Sequence, residues 1–202
     1  MANASYPVTI TVETRLENRD RLTTAFRPIL AIPHSILVGP AMWIHRIGTA
    51  GLLGGAAYVL AIVSWFMILI SGDQPTGIRE FQMYYLRWRT RAIAYMALLA
   101  DAYPPFCDAP YPASIDVTPP ALPRDRVTIA VRLLLALPHG VLLFFLVIGW
   151  CVTTIIAWFA ILFTGAYPAG LHPFGMGVMR WMLRVEAYLL LLVDEYPPFT
   201  LD

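Results

Sequence analysis

Hydrophobic and polar positions alternate with period two at two places in this chain. Val8, Ile10 and Val12 oppose Thr9, Thr11 and Glu13, and Ala113, Ile115 and Val117 oppose Ser114 and Asp116. Such alternation predicts a short strand at each place. The two strands can pair with each other, but an isolated pair needs support from neighbouring helices or a membrane surface. After each strand an Arg-bearing stretch leads into a long apolar run. The second run extends from Val127 to Thr164, broken only by Arg132 and by Pro138-His139, and carries no charge from Leu133 to Phe163. Those 31 residues would measure roughly 46 Å as straight helix, against a hydrocarbon core of about 30 Å. The first run carries about twelve extra residues, among them Pro40, His45, Arg46, Gly48, Gly51, Gly54 and Gly55. A turn near His45–Gly48 divides it into two helices of about twenty residues, each long enough to span. The matching turn in the second run falls near Gly149-Trp150.

A Gly-Pro-Gly turn follows each run, at Gly72, Pro75 and Gly77 and at Gly165, Pro168 and Gly170. Next comes a helix near Phe81–Ala100 and again near Phe174–Val193. Arg87 and Arg91, like Arg180 and Arg184, are spaced i,i+4 and share a face. With Trp88 and Tyr95, or Trp181 and Tyr188, nearby, the pattern predicts an interfacial helix whose four arginines lie among lipid headgroups.

The chain therefore states one plan twice. Tyr6-Pro7, Arg19-Asp20-Arg21, Arg27 and Pro33-His34 return 105 positions later; Trp65-Phe66, Arg87-Trp88, Arg91, Tyr95, Asp101 and Tyr103-Pro104-Pro105-Phe106 return 93 positions later. The repeats are residues 6–106 and 111–199, and the Pro-rich linker 107–122 includes the start of the second strand. Arginine placement bears on topology. If each apolar run is a hairpin, every arginine except Arg46 falls on one side. The positive-inside rule then makes this a multi-pass protein of the cytoplasmic (inner) membrane with both termini cytoplasmic. The repeats would be parallel, related by an axis along the membrane normal.

Composition agrees: 58% of residues are hydrophobic and 13% charged, where a soluble domain has about a quarter charged. The net charge of +1 gives no electrostatic case for nucleic acid. All 14 basic residues are Arg, which excludes a Schiff-base or P-loop lysine. Cys107 and Cys151 are not repeat equivalents, so no disulfide is built into the plan.

His34 and His139, each after a proline, are the strongest candidates for chemistry. In one reading they contact a ligand such as a quinone, or hold haem iron or a metal. In the other, each imidazole satisfies backbone groups freed by the proline kink. Arg27 and Arg132 lie deepest in apolar sequence and call for partners. Asp101 and Asp194, a lipid phosphate, or a helix C-terminus could serve; snorkelling to the interface is the alternative. No pattern identifies a reaction or a resident cofactor or metal.

The Arg19-Asp20-Arg21 and Pro33-His34 block, the Trp65-Phe66 to Gly72 turn, and the ending Tyr196-Pro197-Pro198-Phe199 with their repeat partners resemble a bacterial family of small membrane proteins, common in actinobacteria, defined as domain of unknown function 4389. The resemblance covers nearly the whole chain, once per repeat. It implies a membrane location and a helical fold, and brings no activity. The expected architecture is an all-α integral membrane protein of two repeats, each a strand, a helical hairpin and an Arg-rich interfacial helix. The expected role is a non-enzymatic accessory or scaffold subunit that contacts membrane lipids and docks on other integral membrane subunits or on itself. A Gly51/Gly55 GxxxG spacing would serve such docking. The alternative is a binder or carrier of a lipid, quinone or haem between the repeats, at His34, His139, Arg27 and Arg132.

Overall fold

The two alternating segments pair. In the computed structural model, which describes residues 6–40 and 51–202, β1 (Val8–Val12) and β2 (Ala113–Val117) form an antiparallel sheet with Ile10 opposite Ile115. These two residues are repeat equivalents, so a pseudo-two-fold axis passes through the middle of the sheet. Val8, Ile10, Ala113 and Ile115 are buried, while Thr9, Thr11, Ser114 and Asp116 face outward.

Among the described residues there are seven helices. The first repeat supplies α1 (Arg21–Leu30), α2 (Ile32–Val38), α3 (Gly51–Ser71) and α4 (Thr76–Met96); the second supplies α5 (Arg126–Ala130), α6 (Arg132–Thr164) and α7 (His172–Leu189). The Arg-Asp-Arg blocks are helix starts. The Asp20 carboxylate accepts from the Leu22 and Thr23 amides, and the Asp125 carboxylate from the Val127 amide, which satisfies donors that a helix N-terminus leaves open.

α6 runs unbroken through Gly149-Trp150, so the second apolar run is not a hairpin. A lone glycine costs a helix only about 1 kcal/mol, far less than freeing backbone groups in apolar surroundings. A run of this length requires a turn only if the helix stands upright in the bilayer. In the first repeat, α2 and α3 take the places of the two halves of α6. The buried stripe His34, Val38, Gly54, Ala57, Ala61 matches His139, Leu143, Val147, Trp150, Thr154. A Cβ on Gly51 would collide with the Gly39 nitrogen and the Leu37 carbonyl, and Gly51 has φ +72°. The chain thus leaves α2 and enters α3 at one place, in a conformation that favours glycine. The turn near His45–Gly48, with Arg46, lies outside the described residues.

The repeats interlock. Trp65 Nε1 donates to the Ile129 carbonyl at 2.9 Å, and its equivalent Trp158 to the Thr24 carbonyl at 2.8 Å. The Arg19 amide donates to the Gly165 carbonyl. The end of each long element therefore meets the start of the other, and the two run antiparallel. α4 and α7 are antiparallel as well: Arg79 reaches the Leu192 carbonyl, whereas Tyr85 and Arg89, further along α4, reach back to Glu186.

Three layers result. Arg87 and Arg91 on α4 border a groove against Ala113–Asp116 of β2. From the other side of α4, Gln82 donates to the Ala57 carbonyl and Arg89 to the Val38 carbonyl. Gln82 and Arg91 are nine residues, about two and a half turns, apart and point opposite ways. The sheet lies on one side of the α4–α7 pair and the long elements on the other. α4 and α7 are the core, with residues 85, 86, 88–95 and 175–179 buried. They are not the amphipathic interfacial helices that the arginine spacing predicts.

Candidate functional site

Arg27 and Arg132 each close the end of a helix. α4 and α7 finish in matching turns in which Leu98 and Leu191 adopt φ +62°, a left-handed conformation that costs a leucine about 1–2 kcal/mol. The turn swings the last carbonyls toward the long element. Arg27 donates to the Tyr95 and Ala100 carbonyls at 3.0 and 2.9 Å and to Asp101 at 3.0 Å. Arg132 repeats this with Tyr188, Val193 and Asp194 at 2.9, 2.8 and 2.8 Å. Their guanidinium carbons lie 4.4 and 4.3 Å from the centres of the Tyr95 and Tyr188 rings. A cation at a helix C-terminus complements its negative dipole end. Arg19 and Arg124 complete each cage by pairing with Asp101 and Asp194. Burial pushes the Asp194 carboxyl up, but the Arg124 and Arg132 contacts outweigh it and hold it below the usual carboxylate range. Of the partners open in the sequence, the aspartate and the helix C-terminus are both used.

The histidines occupy equivalent, separate pockets. His34 Nδ1 accepts from Trp88 Nε1 at 3.1 Å, and His139 Nδ1 from Trp181 Nε1 at 3.0 Å. Phe106 stacks on His34 at 4.6 Å and Phe199 on His139 at 4.1 Å. The Tyr-Pro-Pro-Phe segments are therefore lids: each Phe covers an imidazole, and each Tyr hydroxyl donates to the long element, at the Leu30 or Leu135 carbonyl. The carbonyl one turn before each histidine is met by that tyrosine and not by the imidazole. Because Nδ1 accepts, the proton of a neutral imidazole is on Nε2. Both Nε2 atoms are buried with no hydrogen-bond partner among the described residues.

Arg87 and Arg91, like Arg180 and Arg184, do share a helix face, but that face lies against the strands, the linker and the chain ends, which bury Arg91, half-bury Arg180 and Arg184 and leave Arg87 exposed. Arg91 is buried and reaches Asp108 at 3.3 Å and the Ala109 carbonyl at 3.2 Å; Arg87 is exposed and reaches Asp108 at 3.4 Å. Arg184 stacks on Tyr6 at 5.8 Å, and Arg180 is half-buried. Among the described residues Gly55 faces open space, while Gly51 packs against the end of α2, so the Gly51/Gly55 spacing does not line one helix contact.

Two equivalent apolar grooves lie between the repeats. Arg27, Ala31 and Leu98 meet Thr154, Ile155 and Trp158 across one, a cavity of about 600 Å³. Ala61, Ile62 and Trp65 meet Arg132, Leu133 and Leu191 across the other, of about 440 Å³. Arg27 and Arg132 thus border different grooves, neither histidine lines either one, and the four residues do not share a single site.

A buried charge pair at the centre escapes sequence reading. Glu186 accepts from Arg89 Nε and from the Tyr85 hydroxyl, both at 2.7 Å, and Arg89 also donates to the Val38 carbonyl. The repeat holds a signal for it. Arg89, Tyr85 and Glu186 stand where the other copy has Met182, Val178 and Ile93, a departure from symmetry by three polar groups that fit one another.

A family model, the domain of unknown function DUF4389, matches residues 21–108 and again 126–200. The chain belongs to the DUF4389 family. Both matches start at the helix after an Arg-Asp pair and take in Arg27 or Arg132 with its aspartate, the histidine pocket and its aromatic lid, while Arg19 and Arg124 lie just before them. No curated protein and no solved structure matches the chain. Among the described residues of this DUF4389 protein two helices, α3 and α6, are long and apolar enough to cross a membrane.

Proposed function

We propose that this protein is a membrane-embedded, non-catalytic scaffold that offers the outer faces of its long helices to lipid and to membrane-resident partners, including a second copy of itself. One observation carries the reading: the outer surface of α6 is apolar over its whole length. From Leu133 to Phe163 it has no charged side chain, and Leu134, Val141, Phe145 and Ile155 are 67%, 60%, 65% and 57% exposed. An apolar face of that size on a water-soluble protein would aggregate, and in a bilayer it is solvated. The engagement of the arginines with helix-end carbonyls, and of the histidines with tryptophan and phenylalanine, supports structural roles for the groups that could otherwise do chemistry. The arginines outside the long helices favour the cytoplasmic face of the inner membrane for the polar side and both termini.

The second reading, a carrier of a lipid or quinone, is favoured by the two inter-repeat grooves, each apolar with one arginine at its edge. Purification of the full chain from native membranes in mild detergent, with mass spectrometry of proteins and lipids, decides between them. The scaffold reading predicts membrane proteins retained in fixed ratio, or a homo-oligomer, and their loss on placing Arg at Ile155. A monomer carrying two copies of one defined small molecule would overturn it.

A further inference from the structure

We infer that the long helices lie in the plane of the membrane and occupy a single leaflet, with the pseudo-two-fold axis along the membrane normal and the sheet on the aqueous side. This rests on the membrane location proposed above and not on the scaffold role.

The axis passes through Ile10 and Ile115 in the sheet and relates the antiparallel α4 and α7. It is perpendicular to the antiparallel long elements. If those elements crossed the bilayer, the axis would lie in its midplane and the sheet would sit at mid-depth. The exposed Thr9, Thr11, Ser114 and Asp116, with the neighbouring Arg87–Asp108 pair, would then face hydrocarbon, where unshielded charges are expelled. Turned by a quarter circle, the molecule has no such conflict. The sheet, the linker and their charges face water, and the uncharged outer faces of α3 and α6 enter the membrane.

Length points the same way. The uncharged stretch of α6, roughly 46 Å long, fits a hydrocarbon core of about 30 Å only when tilted by about 50°, beyond the usual range of about 0–40°. Lying flat, it needs no tilt match. Arg21 lies over Gly165 at one end of α6, and Arg126 over Gly72 at the end of α3. Both arginines are exposed and placed to reach headgroups of the same leaflet, as interfacial elements with cationic rims do. All the described arginines then fall on one side of the membrane without any hairpin.

The test is labelling in sealed vesicles. Cys107 and Cys151 are replaced by Ser and Ala. Glu17→Cys and Ala121→Cys then place exposed thiols near opposite ends of α6. The doubly substituted chain is reconstituted into phosphatidylglycerol–phosphatidylethanolamine vesicles, floated, treated with a membrane-impermeant maleimide and weighed by mass spectrometry. Single-leaflet insertion gives molecules with two labels or none, whatever the mixture of orientations. One label per molecule means that α6 crosses, and overturns the inference. A fluorophore on Ile148→Cys, at the middle of α6, should be quenched by lipids brominated on the acyl chain; no quenching overturns it also. Protein that stays at the bottom of the gradient removes the membrane location itself. The scaffold role fails separately, when the native purification yields neither partner nor oligomer.

Discussion

Arg132→Met removes the cation that closes α7, and the structure sets the size of the loss. The guanidinium makes two hydrogen bonds to backbone carbonyls and one to Asp194, and its side chain is 3% exposed. Methionine keeps most of the packing volume and offers no donor. The Tyr188 and Val193 carbonyls each lose a partner, at about 1–3 kcal/mol apiece. Breaking a buried ion pair costs about 3–5 kcal/mol, but Asp194 is 21% exposed and keeps Arg124, so that contribution falls to the low end. The expected destabilisation is about 3–5 kcal/mol, a large share of the roughly 5–15 kcal/mol of a typical domain. At about 2–4 °C per kcal/mol for a chain of this size, the midpoint falls by about 6–20 °C. The assay is thermal or denaturant unfolding in detergent micelles followed by circular dichroism. Arg27→Met must lose about as much, because its cage is built the same way. A loss under about 1 kcal/mol at either arginine would refute the reasoning and return both to snorkelling.

Other outcomes follow from the same contacts. His139→Leu should cost about 1–3 kcal/mol in unfolding experiments, because the Trp181 indole loses its buried acceptor, and should raise the exposure of Phe199 measured by proteolysis of the C-terminal segment. Glu186→Ile, which installs the residue of the other repeat, should cost about 3–5 kcal/mol by leaving Arg89 uncompensated; adding Arg89→Met should recover most of it. Gly177→Ala should loosen the C-terminus, since the new methyl would lie 2.6 Å from the Leu201 carbonyl oxygen, and hydrogen exchange there should accelerate. Asp194 has a depressed folded-state pKa, so its stabilisation is fully present above the ordinary carboxylate value and is lost as pH falls below it. In acid titrations, Asp194→Asn should remove part of that loss of stability.

Part of the architecture is legible because the chain repeats. The two strands are read from their alternation, and Asp101 and Asp194 stand among the partners that the sequence leaves open to Arg27 and Arg132, since each of these positions recurs in both copies. Two readings fail for physical reasons. An i,i+4 pair such as Arg87 and Arg91 defines a face but not what covers that face, and here β2 and the linker do. The 31 uncharged residues of the second run prompt a hairpin only when a helix is assumed to stand upright. His34 and His139 are open in the sequence to a ligand or to the backbone groups of the proline kink, and their stacking under the Tyr-Pro-Pro-Phe segments, some sixty to seventy positions downstream, is a long-range contact that no local pattern reports. The Arg89–Glu186 pair joins residues of different repeats, and its one mark in the sequence is that both depart from their repeat equivalents, Met182 and Ile93.

The orientation of α6 relative to the bilayer is the most direct measurement of the account's central claim. Oriented-sample solid-state NMR on protein carrying ¹⁵N-labelled valine, which reports Val141, Val147 and Val152, gives the tilt of the helix from the membrane normal. In-plane insertion predicts a tilt near 90°, with the three signals at the low-shift end of the amide range. A tilt within the usual transmembrane range of about 0–40° would contradict it.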